Sequence, residues 1–187
     1  MVNKSTTTLR DMSAEFLGTM VLMLFGLGVN AQVTLGKVSV PLFQTDLGSS
    51  VGRITEFQYG DYLSINFGWG VAVMLAVYVA GGGTGAHINP AVTIAMACRR
   101  ALPWNRVVPF ITAQMLGAFV ASAIVYGVYY EQIQNIEAVE AAGSDVSVGV
   151  DGARHQGKSS GEVSRHTMAT AGIFGTYPRS FSNLDPE

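Results

Sequence analysis

Three apolar stretches, each long enough to cross a bilayer, alternate with polar segments along this chain, and one of those segments is only a brief interruption. Residues 1–11 are mostly polar and read as a short tail. From about Met12 to Leu35 the sequence is apolar, with almost no polar group between Phe16 and Val29 but with an acid, Glu15, near its start. A second apolar stretch covers about 62–80 and a third about 107–130. Each meets the requirement of roughly 20 apolar residues for a helix that spans the hydrocarbon core. Gly68, Ala72, Ala76 and Ala80 recur every four residues in the second, and Ala113, Gly117 and Ala121 do so in the third. Small residues at that spacing let helix backbones approach closely in lipid, although an alanine-rich helix can also produce the pattern by chance.

Between the second and third stretches lies Gly81-Gly82-Gly83-Thr84-Gly85-Ala86-His87-Ile88-Asn89-Pro90-Ala91-Val92-Thr93, glycine-rich and polar in otherwise membrane-like surroundings. It predicts a loop that turns into a short helix. Asn89 is a favourable N-cap, and Pro90 suits the first helical position because its missing N–H would have no partner there. Arg99, Arg100 and Pro103 stop the helix after about Cys98. At 1.5 Å per residue it covers roughly 14 Å, about half of the hydrocarbon core. A re-entrant loop and half-helix over 81–98, set between two full spans, is how membrane transporters and channels build a site at mid-depth. The fold expected is therefore an all-α membrane protein of three transmembrane helices plus one re-entrant half-helix.

Composition agrees, with 49% hydrophobic and 13% charged residues and a mean hydropathy of +0.32. A net charge of −2 without a basic stripe gives no footing for nucleic acid. Cys98 is the single cysteine, which excludes an intrachain disulfide, and no metal site or cofactor is expected. His155 and His166 stand alone in a polar segment without ligand spacing. No cleavable signal peptide is evident, because the first apolar run follows a polar segment and continues too far. Residues 62–130 hold no acid, and their charges are Arg99, Arg100 and Arg106. The positive-inside rule makes that connection cytoplasmic, together with the N-terminus and its Lys4 and Arg10. Three spans then leave 131–187 extracytoplasmic, a segment rich in Gly and Ser whose middle, 135–166, reads as a flexible loop or tail. Gly36 to Asp61 reads as an outside loop. Asn3-Lys4-Ser5 matches a glycosylation sequon on the wrong side of the membrane for use.

Four features could carry function. The amide of Asn89 can accept the capping bond and still direct N–H donors at a passing molecule, or it can be a plain helix cap. The half-helix N-terminus adds a partial positive charge there, which favours oxygen lone pairs and disfavours cations. Carbonyls of Gly85, Ala86, His87 and Ile88, in extended backbone, must find partners or line a wet cavity. Glu15 either braces the re-entrant loop or holds its carboxylate in water at the cytoplasmic interface. Trp69 could be an interfacial anchor. The glycine-rich run is not followed by the Gly-Lys-Ser/Thr ending of a phosphate cradle.

Residues 83–93, Gly-Thr-Gly-Ala-His-Ile-Asn-Pro-Ala-Val-Thr, closely resemble the first signature of the aquaporin superfamily, the major intrinsic proteins. Ala14-Glu15-Phe16-Leu17-Gly18-Thr19 and Ala113-Gln114-Met115-Leu116-Gly117-Ala118 extend the resemblance over roughly residues 10–131. Many relatives carry serine where this chain has Thr84, a change that keeps the hydroxyl. Within the superfamily the chain looks most like the aquaglyceroporins. Trp69 falls where that branch has the tryptophan of its narrowest ring, Arg106-Val107-Val108-Pro109-Phe110 resembles the start of its third span, and Ala171 to Pro178 resembles its extended third loop. The resemblance implies a passive channel, not an enzyme, for glycerol, other small neutral solutes and water, embedded in membrane lipid as a homotetramer. It implies that Asn89, with Pro90 and Ala91, forms the mid-pore cap, that the carbonyls of Gly85 to Ile88 form a ladder for hydroxyls, that Glu15 holds the loop through His87, and that Trp69 packs against the solute's carbon chain.

The superfamily fold is an inverted repeat, and this sequence corresponds to one repeat, the N-terminal half. Asn89-Pro90 is its single Asn-Pro pair, and the family's second cap and pore arginine have no counterpart in it. The expectation is a fragment or half that does not conduct alone. The alternative is a truncated, non-conducting membrane protein that associates with or perturbs intact channel subunits. An intramembrane enzyme would have to rest on His87 and Glu15, to which the resemblance gives bracing roles.

Overall fold

The computed structural model describes residues 4–42, 53–58, 60–141, 170 and 172–175. Their order is α1 (Lys4–Leu35), β1 (Lys37–Leu42), β2 (Arg53–Gln58), α2 (Tyr62–Thr84), α3 (Pro90–Cys98), a 3₁₀ turn (Trp104–Arg106), α4 (Val107–Val128) and α5 (Tyr130–Ala141). Three helical segments, Thr8–Leu35, Tyr62–Thr84 and Trp104–Val128, are long and apolar enough to cross a membrane. The protein is an all-α membrane protein by its spans, with a half-length helix between the second and third.

The structure divides into two units, one of residues 1–33 with 60–130 and one of 34–59 with 131–187. The first holds the spans, and small residues set how closely they pack. Ala72, Ala76 and Ala80 of α2 and Ala121 of α4 are fully buried. A Cβ at Gly18 of α1 would stand 2.8 Å from Cβ of Ala80, and one at Gly68 of α2 would stand 2.8 Å from Cγ1 of Val29. In lipid no hydrophobic drive pushes helices together, so this close backbone approach is what dispersion and packing can use. Ala97, Leu102, Val107 and Phe110 form a buried cluster that fastens α3 to α4.

Several boundaries differ from the sequence expectation. The tail expected at 1–11 is helical from Lys4, because Lys4 to Asp11 contains no glycine or proline and a polar sequence without a breaker can extend an established helix. α2 runs to Thr84 rather than ending near Ala80, straight through Gly81, Gly82 and Gly83. Three helical glycines cost about 3 kcal/mol relative to alanine. Each backbone group left unpaired in hydrocarbon costs several kcal/mol, so the helix continues until a side chain can take over.

In the second unit, the segment read as an outside loop contains an antiparallel hairpin. Lys37 pairs with Gln58 and Leu42 with Arg53. Alternation in Val38-Ser39-Val40 is a period-2 signal for the first strand, whereas Arg53 to Gln58 shows no such alternation. Pro41 is tolerated because both strands of a two-stranded sheet are edges. The same unit contains α5 from Glu131 onward, so the flexible loop or tail expected over 135–166 begins instead as helix as far as Ala141. Tyr130 to Ala141 has no breaker, Ile133 and Glu137 are buried one turn apart, and Thr170 donates to Glu137 over 2.7 Å. The Gly and Ser content that suggested flexibility belongs to residues further on. Residues 142–169, with His155 and His166, the Asn3 sequon and Tyr177-Pro178 lie outside the described residues.

Candidate functional site: a buried carboxylate and a half-helix cap

Glu15, fully buried on α1, is the hub. Its Oε1 accepts from the hydroxyl of Thr84 and from the backbone N–H of His87 at 3.0 Å. Its Oε2 accepts from the backbone N–H of Ile88 and from Nε2 of Gln114, both at 2.7 Å. Four donors from the end of α2, the following loop and α4 therefore converge on one carboxylate. Burying a charge is costly unless it is paired and hydrogen-bonded, and charge-assisted bonds of this kind are roughly twice as strong as neutral ones. The bond to His87 runs through its backbone and not its imidazole. The ring turns instead to Oγ1 of Thr93, 3.3 Å from Nδ1, and meets Phe110 edge to face with centroids 5.4 Å apart.

The turn between α2 and α3 is built around those donors. Gly85 caps α2 in the left-handed region, φ 84°, and its N–H returns to the carbonyl of Gly81. Ala86 and Ile88 also have positive φ, 52° and 43°. For a β-branched residue such as Ile88 that conformation is an outlier, costing on the order of 1–3 kcal/mol. The Glu15 bond offsets this cost, as does burial of the Ile88 side chain against Ala76 and Ala80, with Ala14 and Leu22 around them.

The N–H groups of Ala86, His87 and Ile88 are all turned into the protein, the first to Thr84 Oγ1 and the others to Glu15. The peptide bonds of the described residues are all trans, and in a planar trans peptide the preceding carbonyl points away from the N–H. The carbonyls of Gly85, Ala86 and His87 are thereby directed away from the brace. No donor among the described residues reaches them or the carbonyl of Ile88. Beyond them Asn89, in extended backbone with φ −156°, caps α3: its Oδ1 accepts from the N–H of Ala91 at 2.8 Å, and Pro90 occupies the first turn. Asn89 is exposed, and its side-chain N–H₂ has no acceptor among the described residues. The partial positive end of α3 lies at the same place.

Thr93, fully buried, links this cap back to the hub. Its hydroxyl contacts the carbonyl of Asn89 at 3.1 Å and accepts from Nε2 of Gln114 at 3.0 Å. Thr93 and Gln114 were not singled out as site residues from the sequence. The signal available was a hydrogen-bonding side chain inside an apolar helix, which in a membrane needs a partner. Trp69 is half-buried on α2 and takes no part in the contacts of the Gly85 to Ala91 turn; its indole N–H donates to Oδ1 of Asn30 on α1 at 3.1 Å.

The fold and site thus define a membrane protein in which a short helix enters the apolar layer, is capped there by an asparagine, and is held by a buried carboxylate of the first span. Residues 2–157 match the family described as Major intrinsic protein, and the chain belongs to that family. It is 44% identical over 129 residues to the aquaglycerol porin AQY3 of Saccharomyces cerevisiae, covering 69% of this chain and 17% of that protein. It is 40% identical over 172 residues to the probable aquaglyceroporin-2 of Gibberella zeae, covering 92% of this chain and 40% of that protein. Among solved structures, the aquaglyceroporin from Plasmodium falciparum superposes with a TM-score of 0.54 at 32% identity, over 68% of this chain and 45% of that one. The chain therefore spans less than half the length of each of these relatives.

Proposed function

We propose that these residues supply one half of the wall of a passive channel for glycerol, other small neutral solutes and water. The observation that carries this reading is the division of labour in the turn. Its N–H groups are spent on Glu15 and Thr84, while the carbonyls of Gly85 to Ile88 and the amide of Asn89 are left for a molecule that passes. A polyol would lay its hydroxyls on the carbonyl ladder and receive a hydrogen bond from Asn89. Its carbon chain would lie on an apolar wall that includes Trp69. The positive end of α3 would oppose cations at the same depth. No chemical step is involved, in keeping with a family of passive channels. Membrane orientation follows the arginines after α3, with the N-terminus cytoplasmic, and assembly as a homotetramer completes the reading.

Replacing the matching segment of a full-length aquaglyceroporin by residues 10–131 and measuring stopped-flow glycerol uptake in liposomes tests it. The chimera is expected to conduct, and Asn89→Leu in it to lower glycerol flux at least tenfold. A chimera that inserts at normal levels but conducts no glycerol would overturn the reading. Liposomes holding the 187-residue chain alone are expected to match empty ones, because its ladder then has only half of an enclosing wall.

A further inference from the structure

We propose that Asn30 is the positioning residue of Trp69: it takes up the indole N–H and, together with Gly26, fixes the ring so that a solute beside it meets carbon and no donor. The consequence for a solute rests on the reading of Trp69 as part of the channel wall, whereas the positioning itself does not. Asn30 and Gly26 are four residues apart on α1 and so share one face of that helix. Asn30 meets Trp69 through the 3.1 Å bond from Nε1 to Oδ1. Gly26 meets it through an absence: a Cβ there would stand 2.5 Å from Cε3 and Cη2 of the indole, so the ring occupies the space of a side chain.

These two contacts constrain different things. The bed at Gly26 fixes where the six-membered ring lies, and the bond to Asn30 fixes which edge points to α1. An indole has one donor and no acceptor. Once that donor is spent on Asn30, the surface left over is aromatic carbon, suited to a CH-rich chain. A released N–H would offer a hydrogen bond at a wall whose polar partners are otherwise the carbonyls and amide of the turn. A molecule gripped on two sides leaves more slowly, and conduction needs binding weak enough to permit exit.

The test uses the full 187-residue chain in lipid nanodiscs with ¹³C,¹⁵N-labelled tryptophan. The sequence has two tryptophans, Trp69 and Trp104, so two indole cross-peaks are expected, and Trp104→Phe assigns them. In Asn30→Leu the Trp69 N–H resonance should move upfield and its deuterium exchange should quicken at least tenfold, with the Trp104 cross-peak unmoved as the check on folding. Asn30→Asp keeps an acceptor oxygen and should restore the wild-type signal. Should Asn30→Leu fail to insert, Asn30→Ala, which favours helix, is expected to show the same release. An unchanged Trp69 signal in the inserted variants would overturn the proposal. In the chimera that carries residues 10–131, where the wall is complete, added glycerol should shift the ring C–H resonances of Trp69 but not its N–H, and should shift the N–H once Asn30→Leu is introduced. If glycerol moves no Trp69 resonance in any form while Asn30→Leu still frees the N–H, the positioning role stands and the reading of Trp69 as solute-facing falls.

Discussion

Gly117 of α4 rests directly on the backbone carbonyl of Phe16 in α1, with no room between them for a side chain. The neighbour is main chain inside a helix, so it cannot swing aside as a flexible side chain would. Gly117→Val should therefore push α4 off α1 and break the Gln114 bond to Glu15 three residues earlier. Overpacking costs typically 1–3 kcal/mol, and loss of the buried bond adds to it. The expected result is a sharp fall in monodisperse protein on size-exclusion chromatography; a normal yield with an unchanged profile would contradict the packing described.

Removing the hub should loosen the turn before it loosens the spans. Glu15→Leu leaves the N–H groups of His87 and Ile88 without acceptors, at about 1–3 kcal/mol each. Amide exchange at His87 and Ile88 should quicken at least tenfold, while the middle of α2 stays protected. Glu15→Gln keeps one acceptor oxygen but sets an N–H₂ group against existing donors, so it should fall between the two. Equal protection in all three proteins would show that something other than this carboxylate holds the turn.

Asp11 and Arg106 form a 2.8 Å ion pair between α1 and the start of α4, with Asp11 nearly buried and Arg106 about one-third exposed. The two halves of such a pair are not equivalent. Arg106→Leu strands a buried carboxylate whose remaining cation, Arg10, is 4.0 Å away and largely in solvent. Asp11→Asn leaves a neutral amide beside an arginine that can reach water. Thermal unfolding in detergent should show the larger loss for Arg106→Leu, by about 1–3 kcal/mol. The opposite order would mean that Arg106 is the member that depends on the pair.

The start of α2 should respond to acid. Asp61 caps it by accepting from the N–H groups of Ser64 and Leu63, at 3.1 and 2.9 Å, and the Ser64 hydroxyl receives the N–H of Asp61 in return. The bond from the Ser64 backbone, then that from Leu63, holds its carboxyl below the ordinary value of 3.8. A lowered folded pKa means that the cap's contribution is complete above that ordinary value and is lost as pH falls through the folded one. The amide shifts of Leu63 and Ser64 should titrate with a midpoint below 3.8, and Asp61→Asn should flatten both curves. A midpoint at or above 3.8 would show that the capping bonds do not favour the charged form.

Much of the fold was readable because a bilayer allows few solutions. Long apolar runs read there as helices, and Asn89-Pro90 joins a favoured N-cap to a favoured first helical residue. The glycines misled in one respect: Gly81 to Gly83 suggested a loop, yet within that run and the turn after it only Gly85 takes up glycine's positive φ, and Ala86 and Ile88 are strained instead. Glu15 was visible as an acid in an apolar run. Its donors Thr84 and Gln114 lie 69 and 99 residues away, and spacing along a chain does not report such meetings. Asn30 was overlooked for the same reason, since nothing near it in sequence names Trp69 as its partner. The hairpin at Lys37–Leu42 and Arg53–Gln58 was hidden by charges and a proline that a two-stranded ribbon tolerates.

The four-donor brace also has a history in time. Translation at about 5–20 residues per second places Gln114 in the growing chain on the order of 5–20 s after Glu15. For that interval the carboxylate is already part of a nascent first span but cannot yet have its full set of partners. The turn that carries Asn89 can have its full set of bonds only after the third span has been made, later than either of the helices it joins.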